Sequence, residues 1–201
     1  MAAPPSGPPS GPPSPPGTVH LSLFAPAVNA ALREARFDDD GPLEPVRERR
    51  VSPLCPARRV RTLRSPSARC RETAELLGLA DVPAEPALAG CAMGRWRGRS
   101  LDELAAREPE AVAAWLSDPG AAPHGGESLR ELRERVVTWM EALEPGTVFA
   151  FAEPDVIRAA AAHAVGAPEA AFWRLDVRPL TRVDLSGRAG RWNLRLGAPL
   201  P

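Results

Sequence analysis

Six side chains in this 201-residue sequence are of the types that most often act as strong nucleophiles or hold metal ions: His20, Cys55, Cys70, Cys91, His124 and His163. No two of them form a nucleophile-and-base pair along the sequence. The cysteines are odd in number, widely spaced and without a Cys-x-x-Cys pair, which argues against a disulfide framework or a zinc site. The sequence therefore predicts no metal site and no cofactor, and its thiols suit a reducing cytosol.

The positions of these residues predict mostly structural roles. His20 lies in the middle of an apolar strand pattern, and His163 lies inside an alanine-rich helix pattern. Cys70 falls in a helix interior, where a buried inert thiol is expected. His124 precedes a Gly-Gly-Glu-Ser turn, and it is the one histidine that could approach the mouth of a pocket, although a catalytic role is not expected for it.

Hydrophobic periodicity predicts strands that alternate with helices. Strands are expected at about 19–24, 57–65, 86–89 and 146–152, and two more around the Ser-Gly-Arg-Ala-Gly turn near the end. Helices are expected at about 29–36, 67–78, 101–116 with a break at Pro109, 129–143 and 155–165. This alternation predicts an α/β three-layer sandwich, with a mainly parallel central sheet flanked by helices.

Local signals set several helix ends. Ser65 is the predicted N-cap of the second helix, with Pro66 at its first position and Gly78 at its end. Ser-x-x-Glu patterns at 100–103 and 128–131 predict capping boxes.

The chain divides into two parts by composition. Residues 1–17 are nearly all Pro, Ser, Gly and Ala, which predicts a disordered tail, and 18–201 are expected to form one domain.

The formal net charge is zero and all 25 basic residues are arginine, so nothing favours nucleic acid or an anionic membrane as a partner. No apolar run approaches the roughly 20 residues that span a bilayer. We expect a cytoplasmic protein whose partner, a protein or a small molecule, the sequence does not identify.

Four segments, in order, resemble motifs of the histidine phosphatase superfamily, the phosphoglycerate-mutase-like phosphatases. Residues 65–74 are similar to the Ser-Pro-Leu-x-Arg-Ala-x-Gln-Thr-Ala motif of that family, and 94–98 to its Gly-x-Trp-x-Gly. Residues 125–128 match its Gly-Gly-Glu-Ser, and 156–158 its Val-Ile-Arg. The resemblance implies a phosphoglycerate-mutase-like fold with a site at the carboxyl ends of the strands. The loops after Phe24, at 65–69 and after Ala152 are expected to meet there.

The resemblance also implies which residues of that site are missing. In the family an Arg-His-Gly motif follows the first strand, and its histidine attacks phosphorus; the matching positions here are Ala25 and Pro26. A register anchored on Asn29 places Phe24 there and supplies no histidine either. The second histidine of the family falls on Glu153, its proton-donating acid falls on or near Gly90, and only Arg69 of the pocket set is kept.

These departures leave three readings open. The first is a catalytically inactive family member, a pseudophosphatase with a binding or regulatory role. The second is an active phosphomonoesterase with relocated catalytic residues, and the third is a module that binds a small neutral or cationic ligand. We expect Arg69 and Glu153 to form an ion pair that closes the old site, because either charge alone would be stranded. An open cavity with Glu153 unpaired would instead favour the third reading. Trp96 and Trp115 are expected to be packed side chains of the core or lid. Arg158 is expected to lie on a helix surface or to pack against neighbouring side chains.

Overall fold

The computed structural model describes residues 17–45, 52–56 and 59–196. The proline-rich segment predicted to be disordered lies, apart from Gly17, outside the described residues. None of the helices in these ranges is both long and apolar enough to cross a bilayer.

A five-stranded mixed sheet forms the centre of the described chain. Its strands are β1 (Val19–Phe24), β2 (Val60–Arg64), β3 (Gly146–Phe151), β4 (Arg182–Arg188) and β5 (Arg191–Arg195). In the spatial order β2-β3-β1-β4-β5, the first three strands are parallel, and the β4–β5 hairpin is antiparallel to β1. Since β2, β3 and β1 run the same way, the loops that follow them emerge at one edge of the sheet.

The described residues form six α-helices: α1 (Ala30–Arg33), α2 (Ala68–Leu76), α3 (Leu101–Arg107), α4 (Pro109–Ser117), α5 (Leu129–Glu141) and α6 (Pro154–Ala164). The predicted break at Pro109 is present, because α4 begins there. The capping box at the start of α5 is present as well: Ser128 Oγ accepts from the Glu131 N–H, and the Glu131 carboxylate accepts from the Ser128 N–H.

The two faces of the sheet bury different residues, because successive side chains of a strand point to opposite faces. Leu21 and Leu23 of β1 pack in the cluster that contains the buried faces of α5 and α6. Phe24 and Phe151 pack on the opposite face with residues of α2, among them Cys70. The described chain is thus a helix–sheet–helix sandwich, and the predicted fold class is confirmed.

Two local predictions are wrong. Residues 86–89 do not form a strand: Pro86–Leu88 is a 3₁₀ turn, in which Pro86 suits the first position and Glu85 caps the Ala87 N–H. The N-cap of α2 is Ser67 and not Ser65. The Ser65 N–H is already bonded to the Phe151 carbonyl at 2.7 Å, so Ser65 extends β2.

A separate small core lies among α3, α4 and the turn at Gly94–Trp96. Trp96, Leu104 and Val112 are buried there, with Phe37 and Trp115 packed against them. This helical region forms a wall beside the carboxyl ends of β2 and β3.

Candidate functional site

A cleft of about 550 Å³ opens where β2 and β3 end. Its floor is formed by the residues that follow these strands: Pro66, Ser67 and Arg69 on one side, and 153–155 on the other. Aromatic side chains line its wall, namely Phe37, Trp115, Phe172 and Trp173. Its volume falls in the range of small-molecule sites, which is about 300–1,000 Å³.

The predicted ion pair between Arg69 and Glu153 is present at the base of the cleft. Both side chains are buried, and Arg69 Nη2 contacts Glu153 Oε2 directly. Ser67 Oγ donates a 2.6 Å hydrogen bond to Glu153 Oε1, and the Cys70 thiol points at the same oxygen from 3.5 Å. Burial opposes the charge on Arg69, but the Glu153 carboxylate outweighs this effect, and the pKa of the guanidinium is raised. The pair does not close the site as predicted, since both residues line an open cleft.

Gly90 lies directly against Glu153. A Cβ atom at position 90 would stand 3.1 Å from Glu153 Cγ and 3.4 Å from Glu153 Cβ. The absence of a side chain at 90 therefore makes room for the one at 153. The side chains that fit at positions 90 and 153 are therefore physically coupled.

Ala25 and Pro26 are buried and do not line the cleft. The Ala25 N–H is bonded to the Thr181 carbonyl at 2.9 Å, which ties the loop after β1 to the segment before β4. Of the three loops that we expected at the site, those after β2 and β3 line the cleft, whereas Ala25 and Pro26 present no group to it.

Asp155 and Cys91 place a second set of ionisable groups beside Glu153. The Asp155 carboxylate accepts from the Cys91 N–H at 2.6 Å and the Val156 N–H at 2.8 Å, and burial raises its pKa. Burial and the nearby Asp155 carboxylate also raise the pKa of the Cys91 thiol, which points to the Glu127 carbonyl at 3.1 Å. A thiol held protonated is a poor nucleophile.

His124 is fully enclosed and does not reach the cleft mouth, contrary to expectation. It is 1% exposed, and its Nδ1 accepts from the Gly126 N–H at 3.0 Å. Its ring lies 5.2 Å from that of Trp96, and Nε2 has no hydrogen-bond partner among the described residues. His20 is in β1 and His163 is in α6, so none of the three histidines, all within the described ranges, lines the cleft.

The enclosure of His124 predicts that acid destabilises the protein. Burial, together with the positive charge of Arg95, lowers the pKa of His124 below its ordinary 6.5. The folded state therefore binds fewer protons than the unfolded one, and stability present above pH 6.5 is lost as the pH falls below it. His124→Asn keeps an acceptor for the Gly126 N–H and removes the titration, so its unfolding free energy is expected to fall less between pH 7 and pH 5.

Chemical denaturation of wild type and variant at several pH values measures this effect, with the exposed His20→Asn as the matched control. Identical pH slopes for wild type and His124→Asn would mean that His124 does not take up a proton on unfolding.

Charge among the described residues of the cleft is balanced. Four arginines of this part of the chain line it (Arg36, Arg69, Arg97 and Arg158), and so do four carboxylates (Asp38, Asp40, Glu153 and Asp155). Arg36 is engaged by Glu34 at 2.7 Å, and Arg97 donates to the Asp39 carbonyl at 2.9 Å. The lining therefore has no formal excess of positive charge for an anion.

Some residues that were expected only to pack also line the cleft. Arg158 packs as expected, with its guanidinium 5.7 Å from the Phe172 ring, and it lines the cleft as well. Trp96 is buried and Trp115 packs against it, both as predicted, but Trp115 also lines the cleft. Asp38 and Asp40 also line the cleft and were not among the candidate site residues, although three consecutive aspartates before a glycine mark this segment in the sequence.

The fold is an α/β sandwich with a cleft at the carboxyl ends of its parallel strands. A family model described as the histidine phosphatase superfamily (branch 1) matches residues 49–198, and the chain belongs to this superfamily. The match begins after β1 and after Ala25 and Pro26. No curated protein sequence matches the chain.

Solved structures of similar shape agree with this assignment. The protein TTHB049 from Thermus thermophilus is 27% identical, covering 90% of this chain and 99% of its own, with a TM-score of 0.68. The alpha-ribazole phosphatase from Shigella flexneri is 19% identical over 88% of this chain and 94% of its own, with a TM-score of 0.72. A mycobacterial glucosyl-3-phosphoglycerate phosphatase is 23% identical over 88% and 97%, with a TM-score of 0.68.

Proposed function

We propose that this protein is a histidine phosphatase family member that has lost phosphomonoesterase catalysis and keeps its cleft for binding or regulation. The observation that carries the proposal is the pairing of Arg69 with Glu153 at the base of the cleft. Arg69 is the one pocket residue that the family resemblance retains, and a carboxylate of the protein already occupies it.

The charges of the cleft support the proposed loss of phosphomonoesterase catalysis. A phosphate monoester dianion needs an excess of positive partners, whereas this lining carries as many carboxylates as arginines. Two like charges about 4 Å apart repel by roughly 4 kcal/mol at an effective dielectric constant of about 20. A phosphoryl group beside Arg69 would meet that repulsion from Glu153.

The lack of a histidine nucleophile in the described cleft also supports the proposed loss of catalysis. Position 26 is a buried proline, and none of the histidines lines the cleft. Of the thiols, Cys91 lines the cleft with a raised pKa, and Cys70 is fully buried with a raised pKa. The family match also starts at residue 49, beyond the segment that carries the nucleophile in the family.

Hydrolysis of an aryl phosphate and of a small panel of phosphomonoesters by the purified protein tests the proposal. We expect no turnover above buffer for the wild type and none for Arg69→Ala prepared in parallel, because neither presents an activated nucleophile among the described residues of the cleft. Turnover by the wild type that disappears in Arg69→Ala would show a working pocket and would overturn the proposal.

A second candidate function rests on the 2.6 Å hydrogen bond from Ser67 to Glu153. A hydroxyl beside a carboxylate is the minimum for a relocated nucleophile and base. Against it, the Glu153 carboxylate is already paired with the Arg69 guanidinium and is not free to take up the hydroxyl proton. Ser67→Ala in the same assay separates the inactive protein from one with a relocated nucleophile. If the wild type shows turnover and this variant does not, Ser67 is the candidate nucleophile.

A binding role also fits the aromatic wall. Phe37, Trp115, Phe172 and Trp173 offer flat apolar surface to a small neutral or cationic ligand, and aromatic faces attract cations.

The three free cysteines suit a cytoplasmic location.

A further inference from the structure

The four arginines that line the cleft differ in what holds them. Arg36 and Arg69 each form an ion pair with a carboxylate, and Arg97 donates to a backbone carbonyl. Arg158 has neither an ion-pair partner nor a hydrogen-bond acceptor in the described part of the chain, and its Nε atom is buried. Because an unpaired buried donor costs free energy, an acceptor that a ligand brings to Arg158 is favourable.

The carboxylates of the described lining, in contrast, all have donors. Each accepts at least one hydrogen bond: Glu153 from Arg69, Asp155 from two backbone N–H groups, Asp38 from the Asn29 amide and Asp40 from the Ala68 N–H. Asp155 is one helical turn before Arg158 on α6, but its oxygens face the N–H groups of Cys91 and Val156. Although the formal charges balance, the group left without a partner is therefore a cation.

An aromatic wall extends along the cleft from Arg158. The guanidinium carbon lies 5.7 Å from the centre of the Phe172 ring. From there the ring centroids follow at 5.1 Å to Trp173, 4.7 Å to Trp115 and 5.5 Å to Phe37. A guanidinium packed over an aromatic face keeps the N–H donors at its edge available for a planar acceptor. Trp173 is 37% exposed, so the wall also offers open apolar surface beside that cation.

We propose that the cleft binds small carboxylic acids with an aromatic body, whose carboxylate pairs with Arg158 and whose ring packs against Trp173 and Trp115. The inference rests on the proposed function, in that the cleft binds such a ligand without converting it. A carboxylate matches the edge of a guanidinium with two parallel hydrogen bonds, and its single charge needs only one cation. Aromatic rings add edge-to-face and offset packing to the burial of apolar surface. The cleft volume of about 550 Å³ is sufficient for such a molecule.

Titration calorimetry of the full chain with 3-phenylpropionate, at neutral pH and constant ionic strength in chloride, measures binding. Three further probes separate the contributions: 3-phenylpropionamide removes the charge, 3-phenylpropylamine reverses it, and propionate lacks the ring. We expect the aromatic acid to bind roughly tenfold or more tightly than the amide, a difference of about one charge-assisted hydrogen bond. The amine and propionate are also expected to bind more weakly than the aromatic acid.

Variants locate the two parts of the site. Arg158→Gln is expected to bind the acid and the amide equally, because the side chain at 158 then carries no charge. Arg97→Gln is the matched control, since it removes one positive charge from the same lining and is expected to keep the preference for the acid. Trp173→Ala is expected to weaken the acid and the amide to a similar extent.

Each other outcome counts against the proposal. No measurable binding of 3-phenylpropionate by the wild type overturns it, and so does an amide or amine that binds as tightly, which would favour a neutral or cationic ligand. A preference for the acid that persists in Arg158→Gln, or that is lost in Arg97→Gln, overturns the role of Arg158. If Arg158→Gln does not fold, Arg158→Met replaces it, and the comparison of acid with amide on the wild type needs no variant. Aryl phosphate turnover by the wild type contradicts the proposed function separately, because it reports catalysis and not the binding of an acid.

Discussion

Replacing Arg69 with methionine is expected to lower the free energy of unfolding by about 3–5 kcal/mol, the range for breaking one side of a buried ion pair. The side chains of Arg69 and Glu153 are 8% and 5% exposed, so water cannot replace the lost partner. Methionine retains most of the length of the side chain, and the loss therefore reflects charge more than volume. Urea denaturation at pH 7 measures it.

Two comparisons isolate the cause. Arg130→Ala breaks the exposed pair with Glu169 and is expected to change stability by no more than the error of the measurement, because exposed pairs contribute little. Arg69→Met combined with Glu153→Gln removes both charges and is expected to recover part of the loss. A single variant as stable as the wild type would mean that the pair is not buried in solution.

Replacing Trp96 with alanine is expected to cost about 3–5 kcal/mol, as for other large aromatic residues in cores. Trp96 is fully buried, and its ring lies 5.9 Å from Phe37, 5.8 Å from Trp115 and 5.2 Å from His124. Removing it leaves a cavity at the centre of the small core of α3 and α4. Thermal unfolding measures the loss, and hydrogen exchange is expected to show faster exchange in α3 and α4 than in β1 and β3.

Trp173→Ala is the matched control. Trp173 is 37% exposed and lies at the edge of the same aromatic group, 4.7 Å from Trp115. Its loss is expected to be clearly smaller, because less of its surface is removed from water on folding. Equal losses for the two tryptophans would contradict the assignment of Trp96 as the centre of this core.

The sequence predicts the sheet and the main helices because their signals are local. Alternation in β1, the apolar run of β3 and the capping box of α5 each lie within a few residues. The Arg69–Glu153 pair could also be predicted, because the family resemblance aligns both positions to one pocket although they are 84 residues apart.

The remaining features depend on contacts that no local pattern encodes. Residues 86–89 resemble a strand, but the prolines and the Glu85 cap favour a 3₁₀ turn. The placement of Asp38 and Asp40 in the cleft, and of His124 against Trp96, depends on how the helical wall packs on the sheet.

The contact between Gly90 and Glu153 also bears on the order in which substitutions can occur in evolution. A side chain at position 90 would press against Glu153 Cγ, so a substitution at 90 requires the Glu153 side chain to shift by a few tenths of an ångström or to change as well. A change at 153 alone would leave the buried Arg69 without its partner. Single substitutions at either position thus pass through less stable intermediates, and we expect positions 90 and 153 to change together among relatives of this chain.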